Sequence, residues 1–314
     1  MSVGAADVSP AIRVTDFTFT YGSATSFKPV LTNFDMSIPA GSRTLLIGDN
    51  GAGKSTLLRI LFGRHMHTPG AVTVFGRESF FDTGLNAERA YLGTEWGKRT
   101  VAFSGHGMPL CADIGVSEMM ADLQAEFPAR RDELASLLGV DLKWRMHQLS
   151  DGQRRRVQIM LQLLRPVKVL LLDEITTDLD LLTRQDFLQH LKVMSERDGT
   201  TIVYATHIFD GLDDWPTHLA FISDGKLARF GSLAEYPELA DTRARGIVAP
   251  LLRTVESWMR RHRDERRAKG LSILEKPAGG AVDELRGALG NGYLSGRLGS
   301  IGSGSGADAR GGHN

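Results

Sequence analysis

The chain has 314 residues, 42% of them hydrophobic, with 37 Lys plus Arg balanced by 37 Asp plus Glu. That length supports one large core or two small ones, and the zero net charge excludes a global field that would draw the whole chain to nucleic acid or to an anionic membrane. A single cysteine, Cys111, excludes an internal disulfide framework, and no apolar run reaches the roughly 18 residues that span a bilayer.

Met1 to Pro10 has neither a basic flank nor an apolar stretch, and Asp7 argues against a transit peptide; residues 1–11 are expected to be a disordered start with no visible address. From Ile12 to Tyr21 apolar and polar side chains alternate, with Phe17, Phe19 and Tyr21 on one face, and Gly22-Ser23 reads as a turn; this predicts an antiparallel strand. Leu45-Leu46-Ile47 then runs into Gly48-Asp49-Asn50-Gly51-Ala52-Gly53-Lys54-Ser55-Thr56, a match to the phosphate-binding pattern G-x-x-x-x-G-K-[ST]. The glycines let backbone N–H groups turn toward phosphate oxygens, Lys54 supplies a charge for the β- and γ-phosphates, and the Ser55 hydroxyl suits Mg²⁺. Leu57, Leu58 and Leu61 begin a helix whose positive end faces the anion. On its own the pattern also fits an ordinary Gly-rich turn before a helix.

Ala71 to Phe75 reads as a short strand ending at Gly76. Between Ile114 and Leu164 the pattern turns helical, with Val116, Met119, Met120 and Leu123 spaced at three and four, so residues from about 113 to about 165 are expected to form a helical subdomain. Within it, Leu149-Ser150-Asp151-Gly152-Gln153 precedes a helix over Arg154 to Leu164 with Val157, Leu161 and Leu164 facing inward. A Ser hydroxyl and Gly N–H groups at a helix start can bind an anion, although alone they read as a helix N-cap. Val167 to Leu172 and Thr201 to Ala205 are continuous apolar runs suited to the centre of a parallel sheet, joined by a helix around Thr183 to Glu196 in a right-handed crossover. Asp173 and Glu174 stand at the end of the first run and His207 just past the second, where α/β sheets keep their ligands. Leu219 to Ile222 and Leu227 to Phe230 flank Asp224-Gly225, a hairpin signal.

Beyond about Pro237, Leu251, Leu252, Val255, Trp258 and Met259 fit one helical face, and six basic residues follow between Arg260 and Lys269. Those charges read either as a solvated helix end or as a nucleic-acid contact, the first being the ordinary reading. A C-terminal helical extension is expected over 237–275 and a disordered Gly/Ser-rich tail over 276–314.

The phosphate loop, Leu149 to Gln153, Asp173-Glu174 and Tyr204-Ala205-Thr206-His207 stand in the order found in the ATP-binding-cassette ATPases, and the chain resembles that family over residues 12 to about 235. The resemblance implies an α/β P-loop NTPase with a RecA-like parallel sheet core, an N-terminal antiparallel β subdomain and a helical signature subdomain, the ATPase domain spanning 12–236. It implies Mg²⁺ with ATP as substrate, held by Gly48, Asn50, Gly51, Gly53, Lys54, Ser55 and Thr56. Asp173 would reach the metal through water and Ser55 directly; Glu174 would polarise the attacking water and His207 contact the γ-phosphate. Tyr21 matches the aromatic that stacks on adenine, with a core aromatic as the alternative. Leu149, Ser150, Gly152 and Gln153 would complete the pocket of a neighbouring subunit, and Thr177-Asp178-Leu179-Asp180 stands in place of the D-loop, with Asp180 its usual acid.

Tyr91-Leu92-Gly93-Thr94-Glu95-Trp96, Lys143 to His147 and Thr206 to Leu212 look like the small eukaryotic cassette ATPases, whose yeast member associates with the CCR/NOT complex and whose plant relatives form a non-intrinsic subfamily. Several positions depart from the family pattern. Thr94 or Glu95 takes the region of a usual Gln, Asp151 replaces a frequent Gly, Ile175 a common Pro and Asp178 a common Ala, and the loop from Trp96 to Asp113 is long. The expected protein is a soluble cytoplasmic ATPase, also compatible with the nucleus, that closes head-to-tail with itself or a second cassette subunit and does conformational work on a partner complex. Direct nucleic-acid binding is not expected. The alternatives are the ATP-binding subunit of a transporter whose membrane component is encoded separately, and a non-hydrolysing module gated by ATP.

Overall fold

Strand β1 (Ile12–Phe19) buries Ile12, Val14 and Phe17, with both Thr15 and Asp16 exposed between the last two. The simple alternation expected from Ile12 to Tyr21 is therefore broken, because Asp16 takes a left-handed φ of 40° and bulges out of the ladder. Its partner β2 (Leu31–Ile38) bulges at Asn33 with φ 43°, which breaks the alternation of its own sequence. The two bulges offset each other, so that Val14 faces Met36, Phe17 faces Phe34 and Phe19 faces Leu31 on one buried side. The strand ends at Phe19, leaving Tyr21 just beyond it. In this computed structural model the described residues are 10–22, 29–93 and 113–270, with 101–103 and 106–108 described as backbone.

β3 (Arg43–Gly48) leads through the phosphate loop into α1 (Lys54–Leu61). β4 (Val72–Val74) and β5 (Arg77–Glu78) follow, and with β1 and β2 they form an antiparallel sheet of order β2-β1-β4-β5. β6 (Arg89–Leu92) enters the main sheet, and β7 (Val101–Phe103) and β8 (His106–Met108) make a separate antiparallel pair. The helical region is α2 (Ala121–Glu126), α3 (Pro128–Leu138) and α4 (Asp151–Leu163). Val116 and Met119, expected on a helix, instead form turns before it. Met120 has φ 52°, and the buried Gln124 amide donates to Val116 O at 2.8 Å and Met119 O at 2.6 Å, satisfying carbonyls that a helix would have bonded itself.

β9 (Val169–Asp173), α5 (Leu181–Asp198) and β10 (Thr201–Ala205) form the predicted strand, helix, strand unit. β11 (His218–Ser223) and β12 (Lys226–Ser232) are the hairpin, with Asp224 and Gly225 both at positive φ in the turn. α6 (Pro237–Ala244) and α7 (Pro250–Ala268) end the described chain. The main sheet has the order β12-β11-β3-β10-β9-β6, parallel except for β12.

Alternation along the central strands divides the interior. Leu45, Ile47, Leu170, Leu172, Ile202 and Tyr204 pack toward α4, α5 and α7, whereas Leu46, Leu171, Val203 and Ala205 pack toward α1 and the antiparallel sheet. Both faces are covered, which explains why these strands read as continuous apolar runs. No helix among the described residues is long and apolar enough to cross a membrane. Of the expected disordered ends, 1–9 and 276–314 lie outside the described residues, as do Ser23, Cys111, Thr94, Glu95 and Trp96, whereas Ala11, expected in the disordered start, is buried and accepts from Phe75 N at 2.7 Å.

Candidate functional site

The carboxyl ends of β3, β9 and β10 meet at one edge of the sheet. There Gly48 leaves β3 so close to β11 that a Cβ would stand 2.3 Å from Ile222 O, and Gly53, at φ 106°, would place one 2.7 Å from a Leu31 methyl. Only glycine fits either position. α1 starts at Gly53 with no side-chain cap and no acid in its first turn, so its leading N–H groups are open to an anion. The Lys54 ammonium curls across the loop, donating to Gly48 O at 2.7 Å and Asp49 O at 3.1 Å. Burial pulls its pKa down, opposed by the negative charges of Glu174, Asp173 and Asp49.

Asp173, only 5% exposed, has both carboxylate oxygens engaged. Ser55 Oγ donates to Oδ1 at 3.0 Å and Tyr91 Oη donates to Oδ2 at 3.0 Å. Burial raises the pKa of Asp173, while these two hydrogen bonds lower it. The phenol of Tyr91 is pushed up by burial and by the Asp173 charge, so it stays a donor. Glu174, the next residue, has a left-handed φ of 52° and gives its N–H to Ala205 O at 2.9 Å, linking it to the end of β10. A left-handed φ in a residue with a Cβ stores roughly 1–2 kcal/mol and is a feature concentrated at functional sites. His207 Nδ1 lies 3.4 Å from Glu174 Oε1.

Tyr21, Asn50, Gly51, Gly53, Lys54, Ser55, Thr56 and Glu174 line one cleft, together with Val30 and Arg59. The hydroxyls of Tyr21 and Thr56 are 3.0 Å apart, and the Tyr21 ring meets His65 edge-on at 5.2 Å between centroids. None of Leu149, Ser150, Gly152 and Gln153 borders that cleft. Ser150 is exposed and caps α4 in a capping box: its Oγ accepts from Gln153 N at 3.3 Å, and the Gln153 amide accepts from Ser150 N at 2.9 Å. Asp180 caps α5 through Thr183 N at 3.0 Å and is 3.4 Å from Arg156. The sequence therefore supplies two groups of residues: one lines the cleft, with Asp173 and His207 beside it, and the other lies away from it, with Ser150 exposed, Gly152 and Gln153 half-buried and Leu149 in the core.

Residues 31–177 match the ABC transporter family. ABC transporter I family member 20 of Arabidopsis thaliana is 46% identical over 283 residues, which cover 86% of this chain and 84% of that protein. The chain belongs to the ATP-binding-cassette family. CCR4-associated factor 16 of Saccharomyces cerevisiae is 36% identical to the cassette over 257 residues, covering 76% of the chain and 86% of the relative. A bacterial ABC transporter cassette solved as a dimer superposes on 72% of this chain and 100% of its own, with a TM-score of 0.60 at 22% identity, and shows the same fold.

The cassette's donor set fits Mg²⁺. Ser55 and Asp173 offer hard oxygen atoms 3.0 Å apart, beside the cleft. Among the described residues no three His, Cys, Asp or Glu side chains cluster to cage a metal alone, which matches an ion that takes most of its ligands from phosphates and water. Three further participants, Tyr91, Arg59 and Arg155, carry no local sequence signal, because each acts across more than 20 residues of chain, beyond the reach of periodicity.

Proposed function

We propose that the cassette binds Mg·ATP in the cleft at the ends of β3 and β9 and hydrolyses it once a second cassette, from another copy or from a partner subunit, closes over the bound nucleotide. The observation that carries this reading is the division of the site: the phosphate loop, Asp173, Glu174 and His207 converge, while the Ser150 signature is turned away and exposed. Because this helix start does not border the protein's own cleft, a nucleotide it bound would be one held by another cassette. The cassette neighbour solved as a dimer supports the same arrangement.

Gly51, Gly53 and the start of α1 hold the phosphates, and Lys54 moves its ammonium from the loop carbonyls to the phosphate oxygens. Tyr21 offers its ring to the base. Ser55 and Asp173 would hold Mg²⁺, which would supply neutralisation of phosphate charge. Glu174, held by its backbone bond to Ala205, accepts the proton of the attacking water, and His207 beside it donates toward the γ-phosphate. We take the output to be conformational work on a protein complex in the cytoplasm or nucleus; a relative named for association with CCR4 supports the protein-complex part of that reading.

The test is phosphate release by purified protein with Mg·ATP, with sizing in parallel. The wild type turns over; Glu174→Gln binds ATP, loses turnover by at least two orders of magnitude and accumulates as a closed dimer. Undiminished turnover by a monomeric Glu174→Gln protein would remove Glu174 from the mechanism.

A further inference from the structure

The geometry points to Tyr91 as a positioning residue that aims the metal-binding carboxylate of Asp173. This rests on the Mg·ATP reading above and goes beyond it, since nothing in the phosphate-loop chemistry requires a tyrosine on β6. Tyr91 pairs with Leu171 across the parallel ladder, so Asp173 is its diagonal neighbour two residues on along the same face. A long side chain on β6 reaches that neighbour, and Tyr91 Oη does so at 3.0 Å from Oδ2. Ser55 engages Oδ1 from α1, so the carboxylate is gripped from both sides and its plane is set before any cation arrives.

The ring itself is immobilised. It is 6% exposed, Phe62 packs on it at 5.7 Å between centroids, and the Arg64 guanidinium lies 4.6 Å over its centre. Arg59, on the lining of the nucleotide cleft, acts on both Tyr91 and Asp173. A phenylalanine would fill the same space between Phe62 and Arg64, so packing accounts for the ring and leaves the hydroxyl unexplained. The hydroxyl is the one polar atom of that side chain: it donates its proton to Asp173 and accepts from Arg59. With Oδ2 tied to Tyr91, the oxygen turned toward Ser55 is Oδ1, so a cation that displaces the Ser55 hydrogen bond would meet that oxygen. Removing the phenol frees the carboxylate to rotate away from that direction and withdraws a donor from its charged form.

The experiment is titration of a fluorescent ATP analogue into wild type and Tyr91→Phe, each in MgCl₂ and in EDTA. The quantity read is the gain in affinity that Mg²⁺ confers. Wild type shows a gain, and Tyr91→Phe loses roughly tenfold of it, the size of one hydrogen bond to a charged group, with its EDTA affinity unchanged. An equal Mg²⁺ gain in both proteins overturns the assignment, as does a parallel fall in MgCl₂ and EDTA, which is the mark of a loosened core. A wild type whose nucleotide affinity ignores Mg²⁺ overturns the Mg·ATP reading itself and the Tyr91 assignment with it.

Discussion

Arg155, one turn into the signature helix, grips Asp178 with two nitrogens, Nε at 3.1 Å and Nη2 at 2.9 Å from the same carboxylate oxygen. Its remaining nitrogen, Nη1, donates to Gly93 O at 3.0 Å and to Gln158 at 2.5 Å. One buried guanidinium thus ties α4 to the loop after Glu174 and to the end of β6. The carbonyl of Gly93 is also held by Gln158, at 3.2 Å, so three parts of the site share one polar knot. Asp178, a departure from the family's usual Ala, has a structural use here.

The two partners differ in what they leave behind. Arg155→Met leaves Gln158 Oε1 without its donor and Gly93 O with the Gln158 amide alone, both in a buried setting, and is expected to cost about 2–4 kcal/mol in urea unfolding. Asp178 is partly exposed and rehydrates when lost, so Asp178→Ala leaves Arg155 with its other acceptors and costs about 1 kcal/mol. Equal losses from the two variants would show that the pair, and not the wider knot, carries the energy.

Ser150→Arg puts a bulky cation on an exposed helix start that borders no part of the protein's own cleft. Nucleotide affinity of the single subunit is expected to stay unchanged, and turnover to fall by at least two orders of magnitude. Loss of the cap costs about 1 kcal/mol, too little to unfold the protein. Mixing Ser150→Arg with Glu174→Gln, each inactive alone, rebuilds one intact site per mixed dimer and restores part of the turnover. Absence of any recovery would mean that the second cassette belongs to another protein.

Much of this site was legible because its parts are local. The loop from Gly48 to Thr56 and the acids at Asp173 and Glu174 each occupy one short segment, and the apolar runs on either side of α5 announce buried parallel strands. What escaped was set by irregular backbone or by distance. β2 was hidden by the bulge at Asn33, which puts Leu31 out of phase with Phe34, Met36 and Ile38. The turns at Val116 to Met119 carry helical spacing, yet they rest on Gln124, a residue whose role appears only once its amide has carbonyls to satisfy. Tyr91 and Arg155 find their partners across 82 and 23 residues of chain, and no periodicity encodes such a meeting.

His190 is expected to make the fold sensitive to mild acid. Burial lowers its pKa, Glu133 at 3.6 Å opposes the shift, Asp198 does so weakly, and Arg130 and Arg197 reinforce it. Its Nε2 is buried with no hydrogen-bond partner, so a proton there would be unsatisfied. His218, also lowered by burial, acts in the same sense. A depressed folded-state pKa means the unfolded chain binds more protons, so stability is complete above the ordinary histidine value near 6.5 and declines as pH falls below it. The midpoint of thermal unfolding should drop between pH 7.5 and 5.5, and His190→Gln should drop less over the same interval. Identical pH profiles would remove His190 as the cause.

The C-terminal helix reaches the phosphate loop. Trp258 anchors α7: it is 2% exposed, lies 5.0 Å from the Tyr236 ring and 6.0 Å from Phe221, and Arg229 stands 4.9 Å over its face. One turn on, His262 meets Ser223 and Asp224 at the end of the hairpin and comes within 3.8 Å of Asp49 in the phosphate loop. Stability and nucleotide binding should therefore separate along this helix. Trp258→Ala empties a core position and is expected to cost about 3–5 kcal/mol in urea unfolding. His262→Ala leaves that core intact but removes the imidazole whose protonated form offsets the Asp49 charge, so in buffer acidic enough to protonate the imidazole ATP affinity should fall roughly two- to fivefold, the scale of a partly exposed charge contact. The fall should shrink at high salt, because a partly exposed contact is screened. An affinity that changes for Trp258→Ala and not for His262→Ala would place the link between α7 and the nucleotide site in the packing of β11, and not in the charge at Asp49.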